Sequence, residues 1–172
     1  TVPVVIATTG FDDDQKKQIE NAATENGVFF TYNMSLGINL LATLAKKAVD
    51  VLGNDFDIEI IEKHHNQKID APSGTALMLA DAICEEIDKP MKYEYDRHSK
   101  REKRSKNEIG MHAVRGGTIV GEHEIIFAGR DEIITLSHSA RSKEIFAVGA
   151  VNAAKYMVGK GAGLYTMKDL IK

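Results

Sequence analysis

The sequence predicts an α/β protein in which part of a doubly wound, parallel-sheet domain is followed by an α+β domain. Three observations carry this. The opening third runs strand, helix, strand. Between residues 108 and 140 three strand-like segments follow one another across glycine-rich turns. Helical periodicity then returns from residue 143. At 172 residues, 43% hydrophobic and 27% charged, the chain has the composition of a globular protein with one sizeable core or one domain and part of another.

Val2–Ala7 is a short β-branched run, expected as a strand buried on both faces of a parallel sheet. It starts within one residue of Thr1, so the chain is expected to open inside a domain. Asp12, Asp13 and Asp14 place negative charge where a helix N-terminus favours it, and Gln15–Glu25 continues that helix to a stop at Gly27. Val28–Tyr32 supplies the next strand, and a strand–helix–strand order is the crossover unit of a parallel sheet.

A helix is expected from Leu40 to about Leu52, with Leu40, Leu41, Leu44, Ala48, Val51 and Leu52 as its apolar stripe and Gly53-Asn54 as its stop. Asp57–Lys63 reads as a strand. The helix from Gly74 to about Asp88 has Leu77, Ala80, Ile83, Cys84 and Ile87 as its buried side, and Pro90 follows it. Cys84, the one cysteine, reads as buried filler, with no disulfide and no metal pair, compatible with a reducing cytoplasm. Residues 97–108 hold six Lys/Arg against two Glu and no hydrophobic residue, and are expected to form an exposed loop. Glu108–Arg115, Ile119–Phe127 and Glu132–Ala140 read as an antiparallel meander. The last helix, Lys143 to about Val158, is assigned Ile145, Val148, Gly149, Asn152 and Tyr156 as its stripe, before a glycine-rich stop at 159–163 and a tail ending at Lys172.

The net charge of −3 argues against a dedicated nucleic-acid or membrane protein. The basic run 97–106 lacks interleaved aromatics and reads as a solvated loop. No apolar run approaches the roughly 20 residues of a spanning helix. Neither G-x-G-x-x-G nor a P-loop occurs, and no metal site is expected, because His64 and His65 are adjacent and no Cys pair or H-E-x-x-H is present. His112, His123 and His138 read as ordinary polar positions of strands.

The chemistry is concentrated in Glu62-Lys-His-His-Asn-Gln-Lys-Ile-Asp-Ala-Pro-Ser-Gly-Thr-Ala76. Ser73 is a candidate N-cap, a role Thr75 and Asp70 are also able to take. The amides of Gly74 and Thr75 at a helix start suit a carboxylate or phosphate. His64 and His65, adjacent on an extended chain, face opposite sides unless a bend turns both inward. Lys68, in the polar turn before the helix, is able to hold a carboxylate or protonate a substrate atom. Thr8-Thr9-Gly10 follows a strand, where open α/β sheets take ligands.

The same run resembles the signature of the dihydrodipicolinate reductase family. Thr8-Thr9-Gly10-Phe11, Tyr32-Asn-Met-Ser-Leu-Gly-Ile-Asn39, Ile109-Gly-Met-His-Ala-Val-Arg-Gly-Gly117, Val120-Gly-Glu-His-Glu124 and Leu136-Ser-His-Ser-Ala140 extend the resemblance along the chain. It implies hydride transfer from NADH or NADPH to a cyclic imine with two carboxylates, in diaminopimelate and lysine biosynthesis. His64 would be the catalytic acid/base, Lys68 the proton donor and His65 a substrate contact. Gly74 and Thr75 would hold a substrate carboxylate. Ala7, Thr8, Thr9, Thr31, Tyr32, Asn33 and Met34 would meet the cofactor, and Lys143 stands where the family has a cofactor-contacting Arg. The resemblance further implies a cytoplasmic homotetramer formed through the second-domain sheet. It divides the chain into residues 1–33 of a Rossmann-type dinucleotide domain, residues 34–142 for substrate and assembly, and residues 143–172 returning to the first. The family's glycine-rich cofactor turn has no counterpart in this sequence, so the chain alone is expected to bind cofactor poorly and to turn over little. Two other readings stand beside this one: a non-catalytic substrate-binding and oligomerisation module, and another two-domain NAD(P)-dependent dehydrogenase.

Overall fold

A computed structural model describes residues 2–171. Thr1 and Lys172 lie outside them, and with them the expectation attached to the chain's opening and the end of its tail. Contacts divide the chain into two compact units, Thr1–Leu40 with Ser142–Lys172 and Leu41–Arg141.

In the first unit, β1 (Val4–Ile6), β2 (Gly27–Phe30) and β8 (Gly163–Tyr165) form a parallel sheet in the order β1-β2-β8. Asp12 caps α1 (Asp13–Ala23) through a reciprocal box with Gln15. That helix ends at Ala23, and Gly27 is the first residue of β2 rather than a helix stop. β1 is not buried on both faces. It pairs only with β2 among the described residues, and Val4 is 45% exposed. The tail supplies β8 and the short α5 (Met167–Leu170), capped by Thr166.

The core of this unit is Phe29, Met34, Ala153, Met157 and Met167. Along α4 (Glu144–Met157) the buried positions are Gly149, Ala153 and Met157. Of the expected stripe Gly149 is buried, Ile145, Asn152 and Tyr156 are half-buried and only Val148 is exposed, so the buried side is turned slightly from the expected one. Small residues allow α4 to approach closely: a Cβ on Gly149 would stand 1.8 Å from the Met34 carbonyl oxygen.

α2 (Leu36–Leu52) begins four residues before Leu40 and buries Ile38, Leu41, Ala45 and Val49; Leu40, Leu44 and Val51 are exposed. Apolar residues cover more than one side of this helix, so periodicity offered two faces, and the one carrying the small Ala45 is the buried one. A 3-10 turn, Gly53–Asp55, follows, with Gly53 at φ +62°.

The second unit is a five-stranded mixed sheet, order β4-β5-β3-β6-β7, with β4 (Lys92–Glu94) a strand the sequence reading did not anticipate. It is not a meander. β5 (Glu108–Arg115) runs parallel to β3 (Asp57–His64), which stands between β5 and β6 (Gly121–Ala128); only β6 and β7 (Ile133–Ala140) form an antiparallel hairpin. β3 takes the centre because its alternation Ile58, Ile60, Glu62, His64 buries one whole face. α3 (Gly74–Cys84) packs on β3 through Ala76, Leu79, Ala80 and Ile83, and ends four residues before Asp88. Cys84 is only half-buried, beside the Tyr93 hydroxyl.

The basic loop is pinned rather than loose: Arg97 pairs with Glu108 and Lys100 with Glu94, both carboxylates being nearly buried. Arg104 binds Glu59 and Asp57 and donates to the carbonyls of Ile58 and Glu108 at 2.9 and 2.7 Å, stitching β3 to β5. Gly149→Ala, which drives a methyl into backbone, is expected to destabilise the first unit by roughly 3 kcal/mol. Urea denaturation checks this; an unchanged midpoint would contradict the close approach.

Candidate active site

Strand alternation decides which groups meet at the carboxyl end of β3. Glu62 and His64 share the face of Ile58 and Ile60, and Glu62 is 0% exposed. A carboxylate buried there needs partners for both oxygens. Arg115 supplies a fork, Nη1 to Oε2 at 2.8 Å and Nη2 to Oε1 at 2.7 Å. The Ser73 amide donates to Oε1 at 3.0 Å, and His64 Nδ1 lies 2.6 Å from Oε2. Burial alone would raise the Glu62 carboxyl; the Arg115 guanidinium, His64 and the Ser73 amide outweigh it and hold it below its ordinary range.

Parallel register sets His64 opposite Arg115, and antiparallel register sets Glu62 opposite His123. His123 is 4% exposed, with Nε2 3.1 Å from Ser73 Oγ and its ring edge-on to His64 at 5.2 Å between centroids. Burial lowers its pKa to about 4, the neighbouring His64 adds to this, and Glu62 opposes it. His138, opposite His123 on β7, is lowered by burial as well.

Ser73 is the N-cap of α3: its Oγ accepts from the Ala76 amide at 3.2 Å. Gly74 and Thr75 are therefore the first two helical residues, with open space where Gly74 would carry a Cβ. Before them the chain makes a tight turn, Lys68 N–H to the His65 carbonyl, and passes through a cis Ala71–Pro72 bond. Lys68 pairs with Asp70 at 2.8 Å, which draws the Asp70 carboxyl below its usual range. Arg115 also donates to the Asp70 carbonyl at 2.7 Å, so it holds the turn as well as Glu62. His65, one residue past the strand, is half-buried.

The first unit holds the other group of expected residues. Ala7-Thr8-Thr9 and Thr31-Tyr32-Asn33 leave the carboxyl ends of neighbouring parallel strands, the place where open α/β sheets accept a nucleotide. The second segment is braced: Thr31 Oγ1 donates to the Asn33 carbonyl, Asn39 Nδ2 donates to the same carbonyl at 2.7 Å, and the Ser35 amide donates to Asn33 Oδ1. Tyr32 is exposed at 59%, stacked obliquely on Phe30. These are the residues expected, from the family resemblance, to meet the cofactor. The Met34 side chain is in the core, which leaves only its backbone for such a contact, and Lys143 precedes α4.

His123, expected to be an ordinary polar position of its strand, is instead buried against Ser73 and His64, and no role is expected from the sequence for Glu62 or Arg115. A signal for Glu62 existed, since a carboxylate at an alternation position of a buried face must be paired. Arg115 and His123 are set by register alone.

A family profile described as dihydrodipicolinate reductase, C-terminus, matches residues 37–171, and one described as dihydrodipicolinate reductase, N-terminus, matches residues 1–34. The chain belongs to the dihydrodipicolinate reductase family. It is 58% identical to the 4-hydroxy-tetrahydrodipicolinate reductase of Caldanaerobacter subterraneus subsp. tengcongensis, over 99% of this chain and 68% of that protein. Identity to the enzyme of the same name from Clostridium novyi is 53%, with the same coverage. Among solved structures, a dipicolinate-bound dihydrodipicolinate reductase from Paenisporosarcina sp. TG-14 superposes with a TM-score of 0.76 at 28% identity, covering 99% of this chain and 65% of that one. The chain thus spans about two thirds of the length of these reductases. The family is one of NAD(P)H-dependent enzymes of lysine and diaminopimelate biosynthesis. No helix among the described residues is long and apolar enough to cross a membrane.

The depressed His123 gives a signed pH dependence. The unfolded chain binds a proton at this site from about pH 6.5 downward while the folded one does not until about pH 4, so stability falls as pH drops through that interval, by on the order of 3 kcal/mol. Glu62 adds a loss of the same sign at the acid end of the interval, and His138 one below its usual pKa. Denaturant titrations across pH 4–7 are expected to show this slope, and His123→Gln to flatten it in part. A flat parent profile would contradict the assignment.

Proposed function

We propose that the protein reduces a cyclic imine dicarboxylate, 4-hydroxy-tetrahydrodipicolinate or the dihydrodipicolinate derived from it, to tetrahydrodipicolinate. NADH or NADPH supplies the hydride. The observation that carries this reading is the meeting, at the carboxyl end of β3, of a histidine held by a buried carboxylate with the serine-capped start of α3. His64 acts as acid and base. Lys68, within the turn that leads to the helix, donates the proton that the substrate nitrogen needs once hydride has added to carbon. The amides of Gly74 and Thr75, at the positive end of α3, take one substrate carboxylate, and His65 contacts the substrate beside them. In the first unit, Ala7, Thr8, Thr9, Thr31, Tyr32, Asn33 and the Met34 backbone hold the nicotinamide end, with Lys143 a further cofactor contact.

The second-unit sheet is the assembly surface of a cytoplasmic homotetramer. The outer edge of β7 is unpaired among the described residues, Ile133 is 68% exposed, and Val114 lies exposed on the face of the sheet opposite His64. Ile133→Lys is expected to lower the molar mass in sedimentation; unchanged assembly would remove this edge from the interface.

Lys68→Met and His64→Gln are each expected to lower kcat for NAD(P)H oxidation by about 100-fold or more. Calorimetry should show dipicolinate binding weakened far more by blocking the helix start, through Gly74→Val, than by His64→Gln. Turnover that survives both Lys68→Met and His64→Gln would overturn the assignment.

A further inference from the structure

We propose that Glu62 is a positioning residue that keeps the proton of His64 on Nδ1, making Nε2 the atom that exchanges a proton with substrate, and that Gly121 is glycine to leave room at that nitrogen. The inference deepens the reading of His64 as acid and base.

A histidine whose proton is to be moved has two ring nitrogens, and something must decide which one works. Glu62 is ionised, with its carboxyl held below the ordinary range, and its oxygens already receive Arg115 twice and the Ser73 amide once. A carboxylate has no proton to give, so the 2.6 Å contact with His64 Nδ1 exists only with the hydrogen on the imidazole. Nδ1 is thereby committed in both charge states. The other nitrogen is then bare in the neutral ring and carries the exchangeable proton in the imidazolium. When the imidazolium acts as acid, the Nε2–H bond breaks and a bond from that hydrogen to the substrate forms. The electron pair stays on Nε2, and the Nδ1–H bond to Glu62 is unchanged.

The strand beside His64 carries an independent mark of the same arrangement. A Cβ built on Gly121 would stand 3.1 Å from His64 Nε2 and 3.4 Å from its Cδ2, while Gly121 itself has a negative φ that any residue adopts. Glycine is not required by the backbone here. What a side chain would take away is the space at the nitrogen that Glu62 leaves available. His123, on the same strand, is neutral above about pH 4, so it adds no competing charge beside the ring near neutrality.

Nitrogen-15 NMR of the histidine rings tests this on the unmodified protein above pH 8. His64 is expected as the Nδ1–H form, with Nε2 showing the shift of an unprotonated nitrogen. Glu62→Gln keeps the size; its carbonyl, in the place of Oε1, accepts from the Ser73 amide and Arg115 Nη2, which puts the amide NH2 in the place of Oε2, against His64 Nδ1 and Arg115 Nη1. That variant is expected to move the His64 proton to Nε2 and to lower kcat by about 10-fold or more with KM changed little. Gly121→Ala is expected to keep the Nδ1–H signal while kcat falls. A neutral His64 protonated at Nε2 in the parent protein would overturn the proposal without any variant, and so would full turnover by Gly121→Ala. The ring spectra report the tautomer whether or not His64 moves the proton. An Nδ1–H spectrum together with full turnover by His64→Gln would therefore remove the acid/base reading and leave the positioning of the ring standing.

Discussion

A single buried carboxylate organises the second unit at its functional end. Moving an ionised Glu out of water costs several kcal/mol unless both oxygens are well bonded. Glu62 meets that demand by drawing in Arg115 from β5, the Ser73 amide from the start of α3 and His64 two residues along its own strand. Each bond fixes an element as well as a charge. The Arg115 fork holds the end of β5 beside β3, and its further bond to the Asp70 carbonyl holds the turn that carries Lys68. The Ser73 amide sets where α3 begins, and the Ser73 hydroxyl then caps that helix and touches His123. Removing the carboxylate would leave the Arg115 charge and the Ser73 amide stranded together, which is why the group behaves as a unit.

The surrounding fold makes this possible by placing β3 in the middle of a mixed sheet. A central strand has neighbours on both sides, one supplying Arg115 in parallel register and the other supplying Gly121 and His123 in antiparallel register. An all-antiparallel meander would have brought β6 against β5 and removed Arg115 from the side of Glu62. The sheet's opposite face is organised by charge in the same manner: Arg104 spans Glu59, Asp57 and two carbonyls, and a Cβ at Gly110 would fall on the Glu59 carboxylate. The basic loop is thus fastened at several cations, Arg97 on Glu108, Lys100 on Glu94 and Arg104 on β3, although its composition is that of a solvated segment.

Much of the fold was legible in the residues. The β-branched runs, the triple Asp before α1, and the Pro-Ser-Gly-Thr start of α3 each record a local preference that survived into the structure. The stripe of α2 lies on another side than expected because that helix is apolar over more than one side. Which side faces inward depends on how closely a neighbour approaches, and the side with Ala45 is the buried one, whereas in α4 only Val148 of the expected stripe turns out to be exposed. The chain crosses between its two units within α2, and hydrophobic periodicity carries no trace of that division.

The sequence by itself determined the dense polar stretch from Glu62 to Ala76, the strand that delivers it, the helix that follows, and a likeness to the reductases extending along the whole chain. It also contained, unread, the alternation that buries Glu62 with His64. The tertiary structure alone decided that Arg115 and His123 stand beside that pair, because strand order and register join residues about 50 positions apart, and no local preference encodes such a pairing. Proximity in sequence gathered the groups able to move a proton; pairing across the sheet determined the charge that holds them and the nitrogen left open.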